Sequence, residues 1–237
     1  MTLVAAHQPN FLPWLGYFDK IRRADVFVVL DDVQFEKSGA GTWTNRVQIR
    51  VAGDPAWITV PVVRAYHGTR AISEMQIDSG SQWREKLLRT IELNYRRAPY
   101  FDAVYPWLAS LVRLESDSLL EYNMNAIQAT LTRIGLANTR LVASSSLDVR
   151  SRATERIIEL VQVAGGDSYL AGGGAQGYQV DDRFAEAGLR LVYQDFRHPT
   201  YPQQGASQFI PGLSIIDALL NVGFEGTAEL LRTGAAS

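Results

Sequence analysis

The chain has no cysteine in its 237 residues. That removes disulfides, thiolate metal sites and cysteine nucleophiles together, and it fits a reducing compartment. No apolar run approaches the roughly eighteen residues of a membrane span, and residues 1–6 lack the basic start of a signal peptide. A soluble, cytoplasmic protein with no membrane partner is expected. There is no dense Lys/Arg block, and the net charge is −2 with both signs interspersed. Duplex nucleic acid is therefore disfavoured as a partner, because neutralising phosphates needs a clustered basic face. No internal repeat is present.

At 46% hydrophobic and 20% charged, the chain can bury one large core or two small ones. Its order reads as α/β. Leu3–Ala6 is an apolar strand, Pro13–Arg22 a short amphipathic helix, and Val26–Leu30 a strand buried on both faces. Trp43, Val47, Ile49 and Val51 alternate with polar neighbours before the turn Gly53-Asp54-Pro55 and the apolar run Trp57–Val62, which predicts a β-hairpin. A short strand is expected around Met75–Ile77. Three helices follow, over 82–97, 103–114 and 118–134, the last closing on Gly135. Strands at 140–143, 168–170 and 190–194 then alternate with helices at 152–164 and 181–187, and a helix runs from Ser214 to Asn221. The fold expected is a Rossmann-like, mostly parallel sheet with a hairpin and a helical middle. Residues 1–80 and 138–237 would form the core domain, and 81–137 a helical layer or subdomain. Only the terminal Thr-Gly-Ala-Ala-Ser reads as disordered.

Polar clusters at strand ends mark the chemistry, because open parallel sheets bind ligands at their carboxyl edge. His7, followed by Gln8 and Asn10, ends the first strand and is the natural proton shuttle; a buried histidine bonding a neighbouring loop is the alternative. Asp31 and Asp32 end the next strand. One carboxylate would point to each face, so Asp32 is assigned to the site, orienting His7, and Asp31 to a cap or structural hydrogen bond. Lys37, Asn45 and Arg46 could bind an anionic group, and Trp43 could stack on a flat ring. Trp14 joins them as a candidate substrate contact. His198, Tyr201 and Gln203 form a second polar cluster on a loop stiffened by Pro199 and Pro202, with His198 the partner of His7.

Ser214 and Asp217 read as a capping box before a helix, which outweighs a nucleophilic serine. Gly172-Gly173-Gly174 lacks the spacing of a phosphate loop. Two histidines and a carboxylate could form a metal triad, but no ligand spacing supports one, and no metal or resident cofactor is expected.

The stretch from His7 through Ile21, with Ala24–Phe27, Asp31–Phe35 and Trp43–Arg46, resembles the WbqC-like proteins of bacterial polysaccharide and natural-product gene clusters. The resemblance extends to Trp83, Asn94-Tyr95, Ala98–Phe101, Tyr169–Gly172, Tyr178, Tyr201–Gln203, Phe209–Pro211 and Leu213–Asp217. It implies an enzyme that forms an amide by moving an acyl or aminoacyl group, glycyl foremost, onto an amine of a small metabolite or activated amino sugar, with Tyr178 among the substrate contacts. The donor would be an acyl thioester, on coenzyme A or an acyl-carrier protein, or an aminoacyl-tRNA. Gln176 stands where the family often has a basic residue, and Gly212 where it often has asparagine, so the substrate is expected to differ from the commonest one. The opening strand, proline loop and helix also bear a fold-level likeness to adenylyl-transferring enzymes. Three readings stay open: His7-based acyl transfer, a nucleotide-dependent transferase, and a non-catalytic binding or assembly protein of the same pathway.

Overall fold

The computed structural model describes residues 1–36, 43–172 and 181–234. Its centre is a parallel sheet of five strands in the order β5-β2-β1-β6-β7. These are β1 (Leu3–His7), β2 (Val26–Val29), β5 (Arg140–Ala143), β6 (Ser168–Ala171) and β7 (Arg190–Tyr193). β1 pairs with β2 from Val4↔Val26 to His7↔Val29, and with β6 from Leu3↔Ser168 to Ala5↔Leu170. The chain winds outward from β1 through β2 to β5, then crosses back to β6 and β7. The direction of winding therefore reverses between β1 and β6. Loops leaving two strands at such a switch point part in opposite directions and open a crevice at the carboxyl edge.

Alternation along β1 sends its side chains to two cores. Ala5 packs with Phe18, Ile21 and Phe27 on one face. Val4 and Ala6 face α5 (Ala153–Val163) and α6 (Asp181–Glu186) through Ile158, Val161 and Phe184 on the other. The first face is covered by α1 (Leu15–Arg23). This helix starts later than the sequence predicts. Trp14 is extended at its N-cap and bridges Ser214, and the Pro13 carbonyl oxygen accepts from Ile215, so Pro13 belongs to the loop.

The hairpin of β3 (Arg46–Val51) and β4 (Asp54–Thr59) forms a separate two-stranded sheet. Its turn is Ala52-Gly53, with φ of 53° and 98°, not Gly53-Asp54-Pro55. Two residues of positive φ match the twist of the flanking strands, and Pro55, paired with Arg50 on an edge strand, loses no ladder bond that matters. Around Met75 there is a single 3-10 turn with isolated bridges Val62↔Ile77 and Gln76↔Ser118, in place of the expected strand.

Helices α2 (Trp83–Tyr95), α3 (Phe101–Val112) and α4 (Leu119–Arg133) follow the predicted periodicity, with Trp83, Leu87, Ile91 and Tyr95 buried. Their apolar residues share one continuous core with α1, the hairpin and α7 (Ile215–Thr233). α7 runs twelve residues past the predicted end at Asn221. It does so by breaking at Gly223, whose φ of 74° and ψ of −178° are open only to glycine. A Cβ there would lie 2.6 Å from the ring of Tyr100, whose amide donates to the Leu220 carbonyl oxygen. Among the described residues no helix is long and apolar enough to cross a membrane.

Gly223→Ala is expected to lose about 2–4 kcal/mol, from left-handed strain plus overpacking against Tyr100. The check is a fall in the denaturant midpoint with an unchanged slope.

Candidate functional site

The loop from Gln8 to Trp14 carries the first half of the site, and nearly every residue of it is tied down. The Asn123 amide donates to the carbonyl oxygens of Pro9 at 2.9 Å and Thr44 at 2.7 Å. The Phe11 amide donates to the Trp43 carbonyl oxygen, and the Ser214 hydroxyl to the Leu12 carbonyl oxygen at 2.7 Å. Leu12 accepts a φ of 40° to make the turn. In this fixed frame the Asn10 side chain is 1% exposed, yet neither its oxygen nor its nitrogen has a hydrogen-bond partner among the described residues. A buried amide left bare costs about 1–3 kcal/mol per group.

His7 ends β1 at the switch point. Its Nδ1 lies 3.1 Å from the Gln8 carbonyl oxygen, which can only accept, so Nδ1 carries the proton and Nε2 keeps its lone pair. The ring meets Tyr17 edge-on at 5.1 Å and Trp14 at 6.0 Å, and the Tyr17 hydroxyl donates to the same Gln8 carbonyl oxygen at 3.0 Å. Burial, with the Lys20 charge nearby, pushes the His7 pKa down to about 4. The imidazole is thus neutral at physiological pH.

Lys20 is the residue that sequence reasoning missed. It is 4% exposed and donates to the Ala6 carbonyl oxygen at 2.9 Å, with its ammonium 5.8 Å above the Tyr169 ring. Among the described residues no carboxylate pairs with it, and burial lowers its pKa to about 8. The signal was its place in α1, three residues after Tyr17 and one before Ile21, on the face that meets the sheet. An aromatic row continues outward from His7: Trp14 to Trp43 at 5.1 Å, Trp43 to Trp57 at 5.0 Å, and the Arg46 guanidinium 4.4 Å over Trp57.

The second cluster sits on the other side of α1. Phe196 packs so close to Gly16 that a Cβ there would lie 2.8 Å from its ring, and the Gln194 amide donates to the Gly16 carbonyl oxygen at 2.7 Å. The segment bearing His198 and the loop after β1 therefore meet the same helical turn. Among the described residues no contact joins the two imidazole rings. His198 stacks edge-on with Phe196 at 5.0 Å, its Nδ1 faces the Gly212 amide at 3.4 Å, and burial lowers its pKa. Tyr201 and Gln203 turn inward. Both donate to the Asp217 carboxylate at 2.9 Å, which Tyr95 also reaches at 2.9 Å, and burial raises the Asp217 pKa. Asp217 is therefore the hub of a buried network rather than the carboxylate of a capping box. Ser214 does cap α7, accepting from the Ile216 amide.

Asp32 is turned away from His7. Arg156 holds it with two bonds of 2.7 and 2.6 Å, the Ser144 hydroxyl donates to it, and its pKa is lowered. Asp31 accepts from the Ser145 amide at 3.0 Å and from both serine hydroxyls, which is the structural bond expected of it. Winding β2 toward β5 carries both aspartates to that neighbour and not to β1. Asn45 is spent on the hairpin, donating to the Val60 carbonyl oxygen at 2.9 Å and accepting at its own carbonyl oxygen from the Val60 amide. Lys37, Gln176, Tyr178 and the glycines at 173 and 174 lie outside the described residues. Among the described residues no group of three metal-ligating side chains occurs.

These features define a class: a parallel α/β protein whose switch point carries a neutral imidazole, a dry ammonium and a bare amide on a pinned proline loop. The chain belongs to the WbqC-like protein family, whose model matches residues 8–229, starting one residue beyond His7. It is similar to the uncharacterized protein Rv1507c of Mycobacterium tuberculosis, with 35% identity over 227 residues that cover 95% of this chain and 96% of that protein. No solved structure matches the chain significantly.

Two outcomes are expected from this electrostatic arrangement. The folded-state pKa of His7 lies below its unfolded value, so the stability it carries is complete above about pH 6.5 and is lost as pH falls toward 4. His7→Gln should flatten the fall in unfolding midpoint across that window. Lys20→Met should raise the midpoint at pH 7, because burial disfavours the ammonium the native state holds there. A lowered midpoint would mark Lys20 as purely structural.

Proposed function

We propose that the protein is an N-acyl- or aminoacyltransferase that forms an amide on an amine of a small metabolite or activated amino sugar. The observation that carries this reading is neutral His7 at the end of β1, with the buried Lys20 ammonium acting on it and the Asn10 amide, without a partner among the described residues, three residues further along the loop. Aminolysis of a thioester or ester needs a base for the amine proton and donors for the developing oxyanion. The amine nitrogen attacks the acyl carbon, the C–N bond forms, and the carbonyl oxygen takes the electron pair. The Asn10 amide and the Lys20 ammonium supply donors for that oxygen. Nε2 of His7 takes the proton as the nitrogen becomes an acidic ammonium, so a weak base suffices. The C–S or C–O bond then breaks, and the imidazolium returns the proton to the leaving group.

No cysteine is present, and Ser214 is committed to Leu12 and to the cap of α7. Direct transfer without an acyl-enzyme follows. Asp32 has no part in this scheme. The Gln8 carbonyl oxygen and Tyr17 hold the imidazole instead. The donor would be a thioester on coenzyme A or a carrier protein, or an aminoacyl-tRNA. The carboxyl edge of a parallel sheet at a switch point is also where nucleotides commonly bind, which keeps the nucleotide-dependent transferase as the second reading.

The test is mass spectrometry of mixtures of the protein, an amino-sugar nucleotide and each donor class. A new amide is expected, with His7→Ala lowering kcat about 10²–10⁴-fold and leaving KM nearly unchanged. Turnover unchanged in His7→Ala would refute the assignment of the base. Magnesium-dependent ATP binding would favour the second reading. Ligand binding weakened by His7→Ala, with no product from any mixture, would make the protein a carrier.

A further inference from the structure

A cleft of about 510 Å³ opens where the hairpin turn, the end of α2 and the loop at Gln204 converge. Its cationic lining is Arg50, Arg96 and Arg97, and among the described residues no acidic side chain borders it. The volume falls within the range of small-molecule sites and is far larger than a single monatomic ion needs.

The three guanidiniums differ in how they are held. Arg50 comes from β3 and is 4% exposed. One nitrogen donates to the Asn94 carbonyl oxygen at 3.3 Å, the guanidinium lies 5.0 Å over the Tyr95 ring, and Nε is buried with no partner among the described residues. Taking a guanidinium out of water is costly unless an anion meets it; Asp217 attracts it from a distance, but among the described residues no carboxylate lies within ion-pair reach. Arg96 caps the C-terminus of α2 and Arg97 follows it, both exposed, and neither side chain has a hydrogen bond or ion pair among the described residues. The walls are otherwise fixed. The Ala52 amide donates to Asn94 at 2.9 Å, and the Gln204 amide to Asn221 at 2.7 Å. Gly205, with φ of 78°, lets Arg50 approach so closely that a Cβ would lie 3.3 Å from its guanidinium.

We propose that this cleft is a second binding site, for a phosphorylated small molecule whose phosphate is gripped by Arg50, Arg96 and Arg97. One buried guanidinium and two exposed arginines line a single cavity. That suits a phosphate dianion with several acceptor oxygens better than a lone carboxylate, which one fork satisfies. The site is separate from His7. Arg50 lies four residues along β3 beyond Arg46, about 13 Å at strand rise, and Arg46 is itself at the outer end of the aromatic row. The proposal therefore stands or falls independently of the transfer reaction.

Titration calorimetry of the full chain with pyrophosphate, glucose 6-phosphate and uridine diphosphate, with citrate as a carboxylate control, tests it. One-site binding of at least one phosphate is expected, weakened about tenfold by Arg97→Gln and further by the Arg96→Gln, Arg97→Gln pair, and unchanged in His7→Ala. Tighter binding of the diphosphate identifies a nucleotide as the source, and tighter binding of the hexose phosphate identifies a sugar phosphate. Because Arg50→Gln could unfold the chain, the two exposed arginines carry the test, with circular dichroism as the check on folding. No phosphate binding below about millimolar, citrate binding as tight as any phosphate, binding untouched in the double variant, or binding abolished by His7→Ala would each overturn the proposal.

Discussion

One side chain, Asn123, ties together three parts of the protein that are distant in sequence. Its amide nitrogen reaches from α4 to the main chain of the loop after β1 and to the segment before β3, 114 and 79 residues away. Both accepted bonds are buried, so losing the donor would strand two carbonyl oxygens out of water, each at about 1–3 kcal/mol. The consequence is rigidity where it is least expected. Loops between a parallel strand and its helix are ordinarily among the mobile parts of an α/β protein. Here the loop is clamped from α4, from Trp43 and from Ser214, and only then is Asn10 buried without partners.

The carboxyl edge of β1 shows where stability has been spent. An ammonium with one carbonyl partner, an imidazole forced neutral and an amide with no partner among the described residues come from β1, the loop after it and α1. A sequence selected for stability alone would place a methionine, a phenylalanine and a leucine at such positions. Two large cores, one on each face of the sheet, supply the surplus that makes this arrangement tolerable. The Lys20 and His7 charges also oppose each other: the cation lowers the imidazole's affinity for a proton, so the pair holds one positive charge and one free lone pair at neutral pH. That is a donor and an acceptor side by side.

Most of the architecture was legible because it rests on period. The apolar runs at β1 and β2, and the four-residue spacing of Trp83, Leu87, Ile91 and Tyr95, each determine an element locally. The errors lie where tertiary contacts overrule local signals. Pro13 resembles a helix start but belongs to the loop because Ile215 bonds its carbonyl oxygen. Asn221 resembles a helix end, but Gly223 bends α7 around Tyr100 and the helix resumes. In the site, the position of His7 at a strand end could be read directly. The partner of Asp32 could not, since Arg156 is 124 residues away and strand order, which periodicity does not encode, decides which loops meet. Lys20 was hidden by its charge, because a lysine in an amphipathic helix ordinarily faces solvent.

The first turn of α7 joins the two ends of the molecule. Ser214 grips the Leu12 carbonyl oxygen on the His7 side, and three residues later Asp217 gathers Tyr95, Tyr201 and Gln203. Tyr95 in turn accepts from the Arg50 amide at 2.8 Å and lies under the Arg50 guanidinium. A continuous set of bonds thus runs from the arginine cleft through Asp217 to the loop that carries Asn10. Gln203 adds a branch, holding Ile210 by both its carbonyl oxygen and its amide and so fixing the turn whose Gly212 faces His198. Burial makes the Asp217 carboxyl reluctant to ionise, and the nearby Arg50 charge favours the carboxylate.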